Sequence, residues 1–180
     1  MRSPGGGAGY RESVPLLRRA PALPDDVRRR LDLEGDAVLA SAETTLGWVV
    51  GTRRGLRVVE AETVLARYWS DVDGARLDPE TATLSVTWVD GTAPTHVVLA
   101  DPTTTALARL VHERVQSSVV HHETVNLPGR RSVRVVLRRG HDGELFTQVV
   151  GPGTVDLDDP VTAAAVDAAE SRVRGAAGLA

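Results

Sequence analysis

Between Ala37 and Ala100 apolar and polar positions alternate with a period of two, in short runs separated by turn-forming residues. That is the pattern of strands with one face turned inward. The runs are Ala37 to Glu43, Trp48 to Thr52, Leu56 to Ala61, Val64 to Trp69, Thr83 to Val89 and His96 to Ala100. Arg54-Gly55, Asp78-Pro79-Glu80 and Asp90-Gly91 with Pro94 separate them, so the spacing predicts an antiparallel meander.

The period then changes. Asp101-Pro102 opens a predicted helix running to Val119, with Asp as N-cap and Pro in the first turn, where its missing N–H costs nothing. Leu107, Leu110, Val111, Val115 and Val119 form an apolar stripe that would lie against the sheet. A second block repeats the order: strands over Glu123 to Leu127, Ser132 to Arg139 and Leu145 to Val150, then a helix from Asp159-Pro160 to Gly175. In that helix Val161, Ala165, Ala168 and Val173 make a thin apolar face. A short helix is also expected near the start, with Pro24 in its first turn, Val27 and Leu31 on one face, and Gly35 as its stop.

Strands joined by short turns, with helices segregated after them, indicate an α+β fold: a curved antiparallel sheet closed by a helix, with an appended antiparallel strand block and a C-terminal helix. The expected segments are a flexible, Gly/Pro-rich lead over 1–22 with Leu16 and Leu17 as its only apolar pair, a sheet-and-helix domain over 23–119, and an appended block over 120–180 docked on the same domain.

Composition changes this picture mainly by exclusion. Of the 180 residues, 42% are hydrophobic and 25% charged, which suits a folded chain and not a disordered one. The sequence contains no Lys, Ile or Cys, so Schiff-base and P-loop lysines, thiolate nucleophiles and thiolate metal sites are excluded. All 21 basic residues are Arg, a composition that resembles the codon bias of a high-GC genome, so the Arg count is not read as selection for anion binding. The net charge of −3 argues against a protein that coats nucleic acid by bulk electrostatics. No run approaches a membrane span and the first residues lack a signal-peptide core, so a cytoplasmic location is expected.

Residues 37–119 resemble the bacterial pleckstrin-homology-like and GRAM-like domains. The resemblance is carried by Gly51-Thr52-Arg53-Arg54-Gly55-Leu56, by Arg67-Tyr68-Trp69-Ser70-Asp71-Val72, by the turn and strand from Asp78 to Val89, and by the closing helix. It implies a curved antiparallel sheet closed by a C-terminal helix. Because that superfamily includes lipid, peptide and protein binders, it also implies a binding module.

Two arginine clusters are candidate anion or partner sites. Arg53, Arg54 and Arg57 surround the second-to-third connection, where guanidinium forks could hold a phosphate or carboxylate, although turns also carry charge simply because they are wet. Arg130, Arg131, Arg134 and Arg138, continued by Arg139, have no acid among them, and alternation puts Arg134 and Arg138 on one strand face. Trp48, Trp69 and Trp88 are read as core residues with partnered indole N–H groups. His121 and Glu123 could converge on one face, but two ligands do not make a metal site.

Gly-x-Ser-x-Gly, Ser-x-x-Lys, His-Glu-x-x-His and Gly-x-Gly-x-x-Gly in a strand-to-helix turn are all absent from the sequence. The first functional expectation is therefore a non-enzymatic binding or scaffold module with no cofactor and no metal. Its expected partner is a protein, this chain itself included, so that homo-oligomers are anticipated. The alternatives are a nucleic-acid accessory protein using the arginine strand, and an enzyme with an unrecognised His/Asp/Arg site.

Overall fold

The structure is a computed structural model that describes residues 22–151 and 155–179. The lead with Leu16 and Leu17 falls, up to residue 21, outside the described residues. Helix α1 (Asp25–Leu31) ends where Asp32 turns left-handed, at φ 43°, before Gly35 is reached.

Strands β1 (Val38–Glu43), β2 (Gly47–Thr52), β3 (Gly55–Glu60) and β4 (Thr63–Tyr68) form an antiparallel sheet in sequential order. The chain leaves β4 through a single 3-10 turn at Trp69–Asp71. It then builds a second antiparallel sheet from β5 (Val72–Asp78), β6 (Thr83–Trp88) and β7 (Thr95–Val98). The alternation had not predicted β5, because Asp73 and Gly74 interrupt it and the register shifts between Val72 and Gly74. The two sheets meet at one corner: Thr44 bridges Leu99, and the Ala100 N–H donates to the Glu43 carbonyl at 2.9 Å.

Helix α2 (Ala106–Ser118) lies over both sheets. Leu107, Val111 and Val115 join Val49, Leu56, Val58, Val72, Leu84, Val86 and Val97 in one core. Gly51 lets the helix approach β2, since a Cβ there would sit 2.5 Å from a Leu110 methyl carbon. The helix starts four residues later than Pro102. The Asp101 carboxylate is consumed locally by the N–H and hydroxyl of Thr103, at 2.9 and 2.7 Å, and so caps a turn instead of the helix.

β2 and β3 are covered on both faces. Val50 and Val59 point away from the main core and are buried by Leu23, Val27 and Leu31 of the α1 region. This explains why β2 reads as nearly continuous apolar sequence instead of strict alternation.

β8 (Val119–Leu127) follows Ser118 directly and is longer than its predicted core of Glu123 to Leu127. With β9 (Arg131–Arg139) and β10 (Leu145–Val150) it forms a third antiparallel sheet in the order β10-β9-β8. α3 (Pro160–Ala176) covers one face of it and buries Thr162, Val166, Ala169 and Val173 against Val125, Val133, Val135 and Leu137. The apolar face is rotated from the expected one: Val161 is 61% exposed and Ala168 is exposed. The architecture is thus α+β, with three antiparallel sheets and three α-helices among the described residues.

Candidate functional site

The turn between β2 and β3 is a two-residue connection made rigid from both sides. Buried Thr52 closes it, its hydroxyl donating to the Gly55 carbonyl at 2.9 Å and accepting from the Gly55 N–H at 3.0 Å. Asp36 Oδ1 accepts the Arg54 N–H at 3.1 Å. Trp69 grips the other side: its indole N–H donates to the Thr52 carbonyl at 3.0 Å and its backbone N–H to the Arg54 carbonyl at 3.2 Å. The Arg53 and Arg54 side chains are left exposed, with no ion-pair partner among the described residues.

Arg57, expected as a third member of this cluster, belongs elsewhere. Its guanidinium lies 3.7 Å from Asp36 Oδ2, with both side chains largely buried, so its charge is matched inside the chain.

The arginine strand divides in the same manner. Val133, Val135 and Leu137 face α3, while Arg134 and Arg138 share the opposite face of β9. That face is turned towards β5. Arg134 pairs with Asp73 at 2.6 Å. Arg138 is 1% exposed, and its Nη1 donates to the Val72 carbonyl at 3.1 Å and to the Ser118 hydroxyl at 2.9 Å. Burial pulls its pKa down, opposed by the nearby Asp73 carboxylate. Arg131 is exposed and donates to the Pro128 carbonyl at 3.3 Å. Arg130 ends the Pro128–Arg130 turn, and its side chain lies outside the described residues.

A cleft of about 210 Å³ opens where these elements meet. The β2–β3 turn contributes Arg53 and Arg54, and the turn after β4 contributes Trp69 and Ser70. The end of α2 contributes Arg114, Ser117 and Ser118, and the β9–β10 hairpin contributes Arg139, Gly140 and His141. Four guanidinium groups from three chain segments therefore line one concavity without a single carboxylate among the lining residues. The hairpin is held over it by His141, stacked on Tyr68 with ring centroids 4.3 Å apart, and by its own closure, the Gly140 N–H donating to the Glu144 carbonyl at 2.8 Å.

Nothing in the sequence marks Arg114 or Ser70 as a binding residue. Each is unremarkable in its own stretch of sequence, and only the meeting of α2 with the turn after β4 makes them neighbours. Conversely, Glu123 is held by Arg172, two of its contacts being 2.6 and 2.9 Å, and no group of three His, Asp or Glu side chains able to hold a metal ion occurs among the described residues. Ser85 Oγ lies 2.8 Å from His96 Nδ1, but the two are register partners on β6 and β7 and their contact is exposed on the strands.

Trp69 and Trp88 are both 6% exposed with their indole N–H groups partnered, that of Trp88 by Thr95 Oγ1 at 3.1 Å. A second recess, of about 240 Å³, lies between Arg67, Asp71, Asp90 and Gln148, where Arg67 is paired to Asp90 at 3.1 Å and its charge is spent. No helix among the described residues is long and apolar enough to cross a membrane.

Comparison of the chain with known protein families, with curated proteins and with solved structures returns no match.

Proposed function

We propose that this chain is a binding module, not a catalyst, and that its cleft between the β2–β3 turn, the end of α2 and the β9–β10 hairpin receives an anionic partner. The observation that carries the reading is the unmatched charge of the lining: Arg53, Arg54, Arg114 and Arg139 converge with no carboxylate beside them. Like charges gathered in a concavity raise the local potential and focus anions there. Elsewhere Arg57, Arg67, Arg134 and Arg172 each face an acid, whereas of the cleft arginines only Arg139 has a side-chain hydrogen bond among the described residues, to the Gly143 carbonyl at 3.4 Å.

A pleckstrin-homology-like core is part of the same proposal. Four strands in meander order, three further strands and a following helix that covers both sheets support it. The appended β8–β10 and α3 block is then what converts a bare turn into a cleft, because Arg139 and His141 come from it.

The arginine strand itself offers a nucleic acid little, with Arg138 buried and Arg134 paired. Thermal unfolding in rising pyrophosphate or citrate at constant ionic strength tests the proposal. A ligand of the folded state alone raises the midpoint in proportion to the logarithm of its concentration. The expected rise should disappear in Arg53→Glu/Arg54→Glu; a midpoint that ignores both anions would end the proposal.

A further inference from the structure

We infer that the anion held by this cleft is a phosphate monoester in its dianionic form. The inference rests on reading the cleft as an anion site, and it goes further by naming the ligand chemistry.

Charge is the first argument. A phosphate monoester carries about −1.5 to −2 at pH 7, whereas a carboxylate, a sulfate ester or a phosphodiester carries one unit. With four guanidinium groups around the space and no carboxylate to share them, the dianion gains most.

Geometry is the second. A guanidinium presents paired N–H donors that match two oxygens at once. A carboxylate has one such pair of oxygens, which one or two arginines satisfy. A phosphoryl group has three terminal oxygens and therefore three oxygen pairs, and here the forks come from three separate segments: the β2–β3 turn, α2 and the β9–β10 hairpin.

The third is an idle donor. Ser70 lines the cleft and is only 9% exposed, yet its hydroxyl makes no hydrogen bond with any described residue. The neighbouring hydroxyls are already engaged, Ser117 donating to the Arg114 carbonyl at 3.0 Å and Ser118 to the Val115 carbonyl at 2.7 Å. Solvent in the cleft still reaches that oxygen, so a phosphoryl oxygen bound there would take the place of water as the acceptor of its hydrogen bond.

Size sets the remaining limit. About 210 Å³ admits a phosphoryl group with a small substituent.

Titration of the full chain with phenyl phosphate, phenyl sulfate and benzoate, read by the fluorescence of Trp69 at the cleft wall, tests the inference. The three share a ring and differ in charge and in oxygen number. Phenyl phosphate is expected to bind about tenfold more tightly than either monoanion. Arg54→Gln and Arg139→Gln should each cost about tenfold in that affinity and Ser70→Ala about threefold, while Arg76→Gln, on the exposed part of β5, should change nothing. Circular dichroism of each variant separates lost binding from lost folding.

Co-sedimentation with phosphatidylcholine vesicles, with and without phosphatidic acid, assigns the source. Sedimentation that requires phosphatidic acid and Arg54 places the monoester on a lipid headgroup, and its absence alongside phenyl phosphate binding places it on a soluble molecule. Equal binding of all three aryl anions would overturn the monoester while leaving an anion cleft in place. Binding of none would overturn both.

Discussion

The guanidinium of Arg138 reaches from β9 to the main-chain carbonyl of Val72, at 3.1 Å, and so joins the third sheet to the first strand of the second. Both residues are buried, and Arg138 Nε has no partner. Replacing Arg138 with Ala removes the donor for that carbonyl and leaves a cavity, at an expected cost of about 3 kcal/mol. Arg138→Met refills the volume and should cost about 1 kcal/mol. Urea denaturation of both variants checks this; an alanine variant as stable as the parent would show the contact to be idle.

α3 is tied to β8 by Arg172 and Glu123, and the side-chain hydrogen bond from Arg172 holds the Glu123 carboxyl below its usual range. A carboxylate whose pKa is lower in the folded chain adds stability that is complete above its unfolded value, about 4.3, and is lost as pH falls through the folded one. Glu123→Gln should therefore lower the unfolding midpoint at neutral pH, and its difference from the parent should shrink on acidification below about pH 4.3. A difference that stays constant down to acid pH would assign the effect to packing.

The N-terminus of α3 depends on Asp159, whose Oδ2 accepts from both the backbone N–H and the hydroxyl of Thr162, at 3.0 and 2.6 Å. Because Thr162 is fully buried, Asp159→Ala leaves two donors without an acceptor. The unfolding midpoint should fall below that of the parent, while Asp158→Ala one position earlier serves as a neutral control. Thermal denaturation of the two variants side by side decides the matter.

Gly55 opens β3 at a close crossing, where an added Cβ would meet the Arg67 carbonyl oxygen at 1.9 Å. Backbone, not a flexible side-chain tip, stands in the way. Gly55→Ala should destabilise the chain by more than about 2 kcal/mol and disturb the turn that presents Arg53 and Arg54. Gly129→Ala, with nothing within 4 Å, should lose only the smaller strain of its positive φ of 76°. Comparable stabilities for the two would contradict the crossing.

Burial of Trp69 and Trp88 at 6% exposure predicts that acrylamide quenches only a minor part of the native fluorescence, through the more open Trp48. Quenching like that of free indole would mean that the two indoles are open to solvent.

Strands were legible where one side chain in two faced the core, as in β6, and the Asp159-Pro160 start of α3 was legible because its cap is local. β5 was not, since Asp73 and Gly74 interrupt the alternation, and neither was the late start of α2, since Asp101 turned its carboxylate to Thr103. Alternation also placed Arg134 and Arg138 on one face. It could not say what covers that face, because Val72 and Asp73 lie some sixty residues away along the chain. The cleft escaped for the same reason: Arg53 and Arg54 were visible as a charged turn, but their meeting with Arg114 and Arg139 is a product of how the third sheet settles on the first two.

Ser118 ends α2 and Val119 begins β8, with no residue between them to absorb slack. Helix and strand therefore meet without a linker, the helical arm resting on the main core and the extended arm pairing with β9, the strand that leads into the turn bearing His141. A ligand held between Arg114 and Arg139 would therefore touch both arms of that junction at once.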